Sequence, residues 1–281
     1  MEAAPGAALR NAAARLRDVT DSPRLDAELL LAHSLGISRS TLLSRLHIPA
    51  PLDGFEALLA RRLNHEPVAY ITGGRGFYNL DFITRPPVLI PRPETEHLVE
   101  AALAHLKQWR GERPPRILDL CTGSGCVAIT LACEIPGAKV SATDIGQEAL
   151  ALADENNRLH KAKVRLLRGD LFDALPKDEP PFDVIVSNPP YVETGEWAGL
   201  APDIRLYEDT RALLAGEDGL DLIRRIIPEA LPRLSPGGLL ALEMGEKHHL
   251  KVAELMTACG YKGVRHVKDL AGIPRIALGL K

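Results

Sequence analysis

From Glu94 onward the chain alternates short, continuously apolar runs with longer stretches of helical spacing, and this alternation narrows the possible folds more than any other feature. The apolar runs are Ile117–Leu120, Val140–Asp144, Val164–Leu167, Val184–Ser187 and Leu239–Glu243. Leu98, Val99, Ala102, Leu103 and Leu106 form a helical stripe ahead of them, and helices are expected near Val127–Cys133, Gln147–Asn157 and Leu220–Leu234. Strands without polar alternation are buried on both faces, and helices between them supply the cover, so the pattern predicts a doubly wound α/β fold with a mostly parallel sheet. Val264–Val267 and Arg275–Leu278 are expected to close the sheet as an antiparallel pair. Such sheets bind ligands beyond the carboxyl ends of their strands.

Residues 1–64 read instead as a small helical domain. Leu25, Leu29, Leu30 and His33 recur at helix spacing, with Ser22-Pro23 as cap and N1 proline, and Gly36 as the stop. Leu42, Leu43 and Leu46 begin a second helix, and Phe55–Arg62 a further one. Residues 65–91 change texture. Ala69–Thr72, the turn Gly73–Gly76 and Phe77-Tyr78 are expected to form a β-hairpin, followed by the stiffening prolines 86, 87, 91 and 93. This segment is read as a linker to the α/β domain, 92–281.

Composition excludes several classes. A chain of 281 residues with 46% apolar and 25% charged residues is that of a soluble globular protein able to bury a large core. A formal charge of −3 offers no general basic field for nucleic acid, and direct nucleic-acid binding is not expected. No run approaches the roughly 18–20 apolar residues of a membrane span, and the cytoplasm is the expected compartment. Arg10, Arg15 and Arg17 lie in an alanine-rich stretch read as a first helix rather than a transit peptide. Cys121, Cys126, Cys133 and Cys259 lack the paired spacing of a zinc site and read as buried thiols, so no metal is expected. The chain is expected to act as a monomer.

Two segments carry chemistry. In Leu118-Asp119-Leu120-Cys121-Thr122-Gly123-Ser124-Gly125 a strand turns into a helix through glycines that let a ligand approach the backbone, and the helix start offers free N–H groups. Ala128 stands where a dinucleotide fingerprint has its third glycine. Asp144, ending the next strand, is placed to accept both hydroxyl hydrogens of a ribose. Asp170, after the third strand, is expected to meet an adenine amino group, with Leu171 or Phe172 packing on the base.

The second segment is Ser187-Asn188-Pro189-Pro190-Tyr191, which ends a buried strand at the ligand edge of the sheet. An amide nitrogen is a poor nucleophile because its lone pair is delocalised into the carbonyl. An enzyme that methylates one must aim the NH2 group at the methyl donor. The Asn188 oxygen can accept one N–H and the Pro189 carbonyl the other, while Pro189-Pro190 fixes the direction of that carbonyl. Tyr191 can pack on the flat amide or line the methyl path. Proximity and orientation then carry the catalysis.

These residues resemble the PrmC/HemK family, the release factor glutamine N5-methyltransferases. The resemblance extends to Pro67–Gly73 with Phe77-Tyr78, the segment Val88–Glu96, Leu213–Leu220, Glu243-Met244-Gly245 and Asp269–Arg275. It implies a class I S-adenosylmethionine-dependent methyltransferase with a seven-stranded sheet, a helical N-terminal substrate-recognition domain and a β-hairpin linker. It implies cofactor contacts from Cys121, Thr122, Gly123, Ser124, Gly125, Asp144, Asp170, Leu171 and Asn188, with Asn188, Pro189, Pro190 and Tyr191 as the catalytic motif. The implied substrate is the glutamine of the GGQ motif in class I peptide chain release factors. The chain departs from the family at Cys121, where many members have glycine, and at Leu171, where some have tryptophan.

Other readings use parts of the same pattern. A glutamine methyltransferase of a ribosomal protein shares the Asn-Pro-Pro-Tyr core, but Pro91–Glu96 favours a release factor. A DNA amino-methyltransferase would use the motif on an extruded base, yet such an enzyme needs a basic groove and a target-reading domain. An NAD-dependent oxidoreductase would use the glycine turn and acid but gives Asn188–Tyr191 no role.

Overall fold

The computed structural model describes residues 2–108, 111 and 113–281. Contacts divide it into two compact units, one running up to Gly74 and including Ala201–Tyr207, the other comprising Arg75–Leu200 and Glu208–Lys281.

The first unit begins with β1 (Glu2–Ala3), α1 (Pro5–Arg15), α2 (Pro23–Ser34), α3 (Arg39–Ser44), β2 (Ala50–Pro51), α4 (Phe55–Leu63) and α5 (Val68–Thr72), with β1 and β2 paired antiparallel. Leu9, Leu16, Leu30, Leu31, Leu42, Phe55 and Leu59 form its core. Pro23 occupies the first turn of α2, but the Ser22 side chain makes no capping bond, contrary to the expected cap. A buried ion pair, Arg62 Nε to Asp26 at 2.8 Å, joins α4 to α2.

The expected hairpin is shifted along the chain. Ala69–Thr72 is helical, not extended: Pro67 lies at φ −56° ahead of α5, Thr72 Oγ1 bonds back to the Val68 carbonyl at 2.9 Å, and Gly73 at φ +76° ends the turn. The hairpin is formed by β3 (Gly74–Phe77) and β4 (Leu80–Ile83).

The second unit continues with α6 (Glu96–Leu106), β5 (Arg116–Leu120), α7 (Cys126–Glu134), β6 (Lys139–Asp144), α8 (Gln147–Leu159), β7 (Arg165–Arg168) and β8 (Phe182–Ser187). After α9 (Pro202–Tyr207), which belongs to the first unit, come α10 (Asp221–Arg233), β9 (Leu234–Glu243), α11 (His249–Ala258), β10 (Lys262–Lys268) and β11 (Pro274–Leu280). Seven strands form one sheet in the order β10-β11-β9-β8-β5-β6-β7. β7, β6, β5, β8 and β9 are parallel, while β11 runs antiparallel to both β9 and β10. The expected doubly wound sheet with its antiparallel closing pair is therefore present.

The strand sequences explain the two-sided burial. Ile117, Val184, Val186, Leu239 and Ala241 face α6 and α7 in one core layer. Their neighbours Leu118, Leu120, Ile185, Leu240 and Leu242 face α10 and α11 in the other. α10 contributes Ile223, Ile226 and Ile227, all fully buried, and each such burial stabilises by about 1.5–3 kcal/mol relative to exposure. Among the described residues, no helix is long and apolar enough to cross a membrane.

Candidate active site

Register sets the site. Leu120 lies beside Thr143 and Ser187, and Ser187 beside Leu242, so four parallel strands end nearly abreast. The next residues, Cys121, Asp144, Asn188 and Glu243, emerge together at the carboxyl edge. Ser187 Oγ donates to the Leu120 carbonyl at 2.8 Å and holds β8 against β5 at that edge.

A cleft with about 800 Å³ of empty space, open mouth included, lies there. Its lining includes Cys121, Gly123, Asp144, Asp170, Leu171 and Asn188. A smaller cavity shares Cys121, Gly123 and Asn188 and adds Thr122, Ser124, Thr95 and Asp119. Gly125 lines neither. At φ +82° it starts α7, where a Cβ would lie 2.8 Å from Ile129 Cδ1 and 3.2 Å from Ala153 Cβ; its contribution is close packing of the turn.

Asp144 is tied to the turn by two backbone amides, Gly123 N–H to Oδ2 at 2.9 Å and Gly146 N–H to Oδ1 at 2.8 Å. A carboxylate has about four acceptor positions, so one on each oxygen remains for a ligand diol. Burial pushes the Asp144 carboxyl upward, opposed by the two amides and by Arg211. Gly123 at φ +53° turns the chain with nothing within 4 Å of a notional Cβ, leaving its open face to the cleft.

Asp170 reaches the cleft wall, but its Oδ2 also accepts from Arg225 at 2.9 Å. Of the two candidates for packing on a base, Leu171 lines the cleft, at φ +47°. Phe172 is buried in the core behind it, with the Arg233 guanidinium 4.6 Å from its ring centroid. Cys121 adopts φ +57°, the conformation that glycine takes without strain. All four cysteines are free thiols, and burial pushes Cys126 up to about 12.

Within the second motif, Asn188 and Pro190 line the cleft, whereas Pro189 and Tyr191 do not. Asn188 Nδ2 donates to Thr95 Oγ1 at 3.1 Å, which leaves Oδ1 as the free acceptor. The Tyr191 hydroxyl donates to Glu243 Oε1 at 3.4 Å, anchoring the ring below the loop.

Sequence reasoning missed three contributors. Asn156, fully buried on α8, bonds Ile83 N–H at 2.8 Å, the Ile83 carbonyl at 3.2 Å and the Ser124 carbonyl at 3.0 Å. It ties the hairpin end to the glycine turn. Its signal was a polar residue on the apolar face shared with Leu152 and Ala153. Asp119 is buried beneath the turn, accepts the Thr122 hydroxyl at 2.6 Å and is pushed by burial up to about 7. The outer wall comes from Pro87–Leu89 and Asp209–Ala212, joined by the Asp209 N–H to the Pro87 carbonyl at 2.8 Å.

Residues 7–73 match the PrmC N-terminal domain and residues 95–207 the methyltransferase small domain. The chain is 42% identical over 270 residues to the release factor glutamine methyltransferase of Koribacter versatilis, covering 93% of this chain and 92% of that protein. It is 43% identical over 262 residues to the release factor glutamine methyltransferase of Bordetella pertussis, covering 92% and 94%. A crystal structure of a methyltransferase from Pyrococcus furiosus aligns with a TM-score of 0.51 at 24% identity, over 73% of this chain and 90% of that one, and shares the fold.

Proposed function

This chain belongs to the release factor glutamine methyltransferase family, and from that premise we propose that it transfers a methyl group from S-adenosylmethionine to the side-chain amide nitrogen of the GGQ glutamine in class I release factors. The observation that carries the chemistry is the bond from Asn188 Nδ2 to Thr95, which occupies the amide nitrogen and leaves the amide oxygen free to accept, on a residue that lines the cleft.

The residues at the cleft fit the cofactor. Asp144 has acceptor capacity left for a ribose, Leu171 offers an apolar face for a base, and the Cys121–Ser124 part of the turn offers backbone to the remainder. When bound, S-adenosylmethionine supplies an electrophilic methyl group on a sulfonium. Asn188 Oδ1 and the Pro189 carbonyl then hold the two N–H groups of the substrate amide, with Pro190 limiting the loop's freedom. Tyr191, anchored through Glu243, supports the loop. No separate base is needed before attack, because the N-alkylated amide is acidic and loses its proton readily. Positioning of this kind is worth several kcal/mol of the barrier.

The helical unit at the N-terminus docks the release factor in this reading, and the enzyme works as a cytoplasmic monomer without direct contact to nucleic acid. Incubation with labelled S-adenosylmethionine and purified release factor, ribosomal proteins and DNA in parallel tests the substrate. Label on the release factor supports the proposal; label only on a ribosomal protein, or only on DNA, overturns it.

A further inference from the structure

Asp170 follows β7 at the ligand edge, and its backbone is held from both sides. The Gly169 N–H donates to the Asp144 carbonyl at 3.0 Å, and the Asp170 carbonyl accepts the Asp173 N–H at 2.9 Å. Gly169 leaves no room for a side chain, since a Cβ there would lie 2.8 Å from Ala174 Cα. The Asp170 carboxyl is freer. Its side chain is 44% exposed, and the residue lines the cleft. Among the described residues it has one hydrogen-bonding side-chain partner, Arg225, whose Nη2 donates to Oδ2 at 2.9 Å.

Arg225 stands on a firm support. It belongs to α10, whose Ile223, Ile226 and Ile227 are fully buried against the sheet. Residues three apart share a helix face, and Leu222, three before Arg225, lines the cleft. Asp173 and Glu229 also attract Arg225 by charge, yet its hydrogen bond goes to Asp170. An exposed ion pair of this kind adds little to stability, because water and salt screen it and two side chains must be ordered. What it does is select an orientation. With Oδ2 bonded to Arg225, Oδ1 remains as the acceptor on a residue at the cleft wall.

We propose that Arg225 is a positioning residue for cofactor recognition, orienting Asp170 so that Oδ1 accepts the amino group of adenine. Arg225 thereby sets the preference for adenine over a base that carries a carbonyl at that position. The proposal rests on the reading that the cleft holds S-adenosylmethionine with its adenine at Asp170.

The test uses two ligands that differ at that one group. S-adenosylhomocysteine has an NH2 donor there, whereas its deaminated form, S-inosylhomocysteine, has an acceptor oxygen. Titration calorimetry of both on the parent, Asp170→Ala, Arg225→Ala and Arg225→Lys, each checked by thermal unfolding, gives a ratio of affinities for every protein. A packing role for Arg225 would weaken both ligands alike and leave the ratio unchanged. The parent should favour the adenosyl ligand about tenfold or more, as expected for a hydrogen bond to a charged acceptor. Asp170→Ala should remove most of that preference. Arg225→Ala should narrow it to about threefold or less, and Arg225→Lys, which keeps a donor with less directional control, should fall between Arg225→Ala and the parent. A parent-like ratio in folded Arg225→Ala, with the preference lost in Asp170→Ala, would overturn the role of Arg225 and leave adenine at Asp170. A parent without preference, or a preference unchanged in Asp170→Ala, would sink the adenine reading and the proposal with it. If Arg225→Ala does not fold, the parent decides between about 0.05 and 0.5 M salt: its ratio should narrow as the ion pair is screened, and a constant ratio would overturn the proposal.

Discussion

Asp144 accepts the Gly123 backbone proton at 2.9 Å, so the acid at the end of one strand and the turn after its neighbour form a single rigid edge of the cleft. Loss of that carboxylate removes both an anchor of the turn and the proposed ribose acceptor. Asp144→Ala should weaken S-adenosylmethionine binding at least tenfold, about 1.4 kcal/mol, by titration calorimetry. Unchanged affinity in a folded variant would rule out the ribose role.

Asn156 is expected to matter for stability although it touches neither cavity. Asn156→Ala leaves the Ile83 and Ser124 backbone groups without their side-chain partner in a buried region. A loss of about 1–3 kcal/mol should appear in denaturant unfolding. A change within about 0.5 kcal/mol, as for ordinary surface substitutions, would show that water replaces the amide.

The sequence made the sheet legible because its strands are buried on both faces, and burial on both faces leaves no polar alternation to confuse the reading. Ile117–Leu120 and Val184–Ser187 fall inside β5 and β8, while Val164–Leu167 is displaced by one residue from β7. Ala69–Thr72 misled because β-branched and aromatic residues favour strands on average, whereas a proline before them and a glycine after them can close one helical turn. Asp144 and Asn188 were legible as strand-end residues. The wall from Pro87–Leu89 and Asp209–Ala212 was not, since it depends on a bond between distant loops that no local pattern encodes. Glu243 was visible only as part of a family-like segment; that its carboxyl accepts the Tyr191 hydroxyl depends on the register of β9 against β8.

Stability of the ligand-free protein should carry a signature of Asp119. Its carboxyl is raised by burial from 3.8 to about 7, so the folded state holds a proton that the unfolded state releases. Below about pH 4 both states are protonated and the contribution is complete. As pH rises from about 4 to 7 the unfolded state ionises first, and stability falls with a slope of at most about 1.4 kcal/mol per pH unit. Asp119→Asn removes this dependence while keeping an acceptor for Thr122. The parent should therefore lose stability relative to Asp119→Asn across that window and then level off. A flat difference, or a parent that gains, would contradict the buried, protonated assignment.

The central claim is transfer of one methyl group to a glutamine side chain held by Asn188. Its most direct test is single-turnover reaction of the parent and Asn188→Ala with S-adenosylmethionine and purified release factor, followed by mass spectrometry of the digested substrate. The parent should place one methyl group on the GGQ glutamine. Asn188→Ala should bind cofactor much as the parent does but react on the order of a hundredfold more slowly, because a displacement of about 1 Å at a positioned nucleophile has that effect. A methyl group on any other residue, or equal rates for the two proteins, would contradict the account.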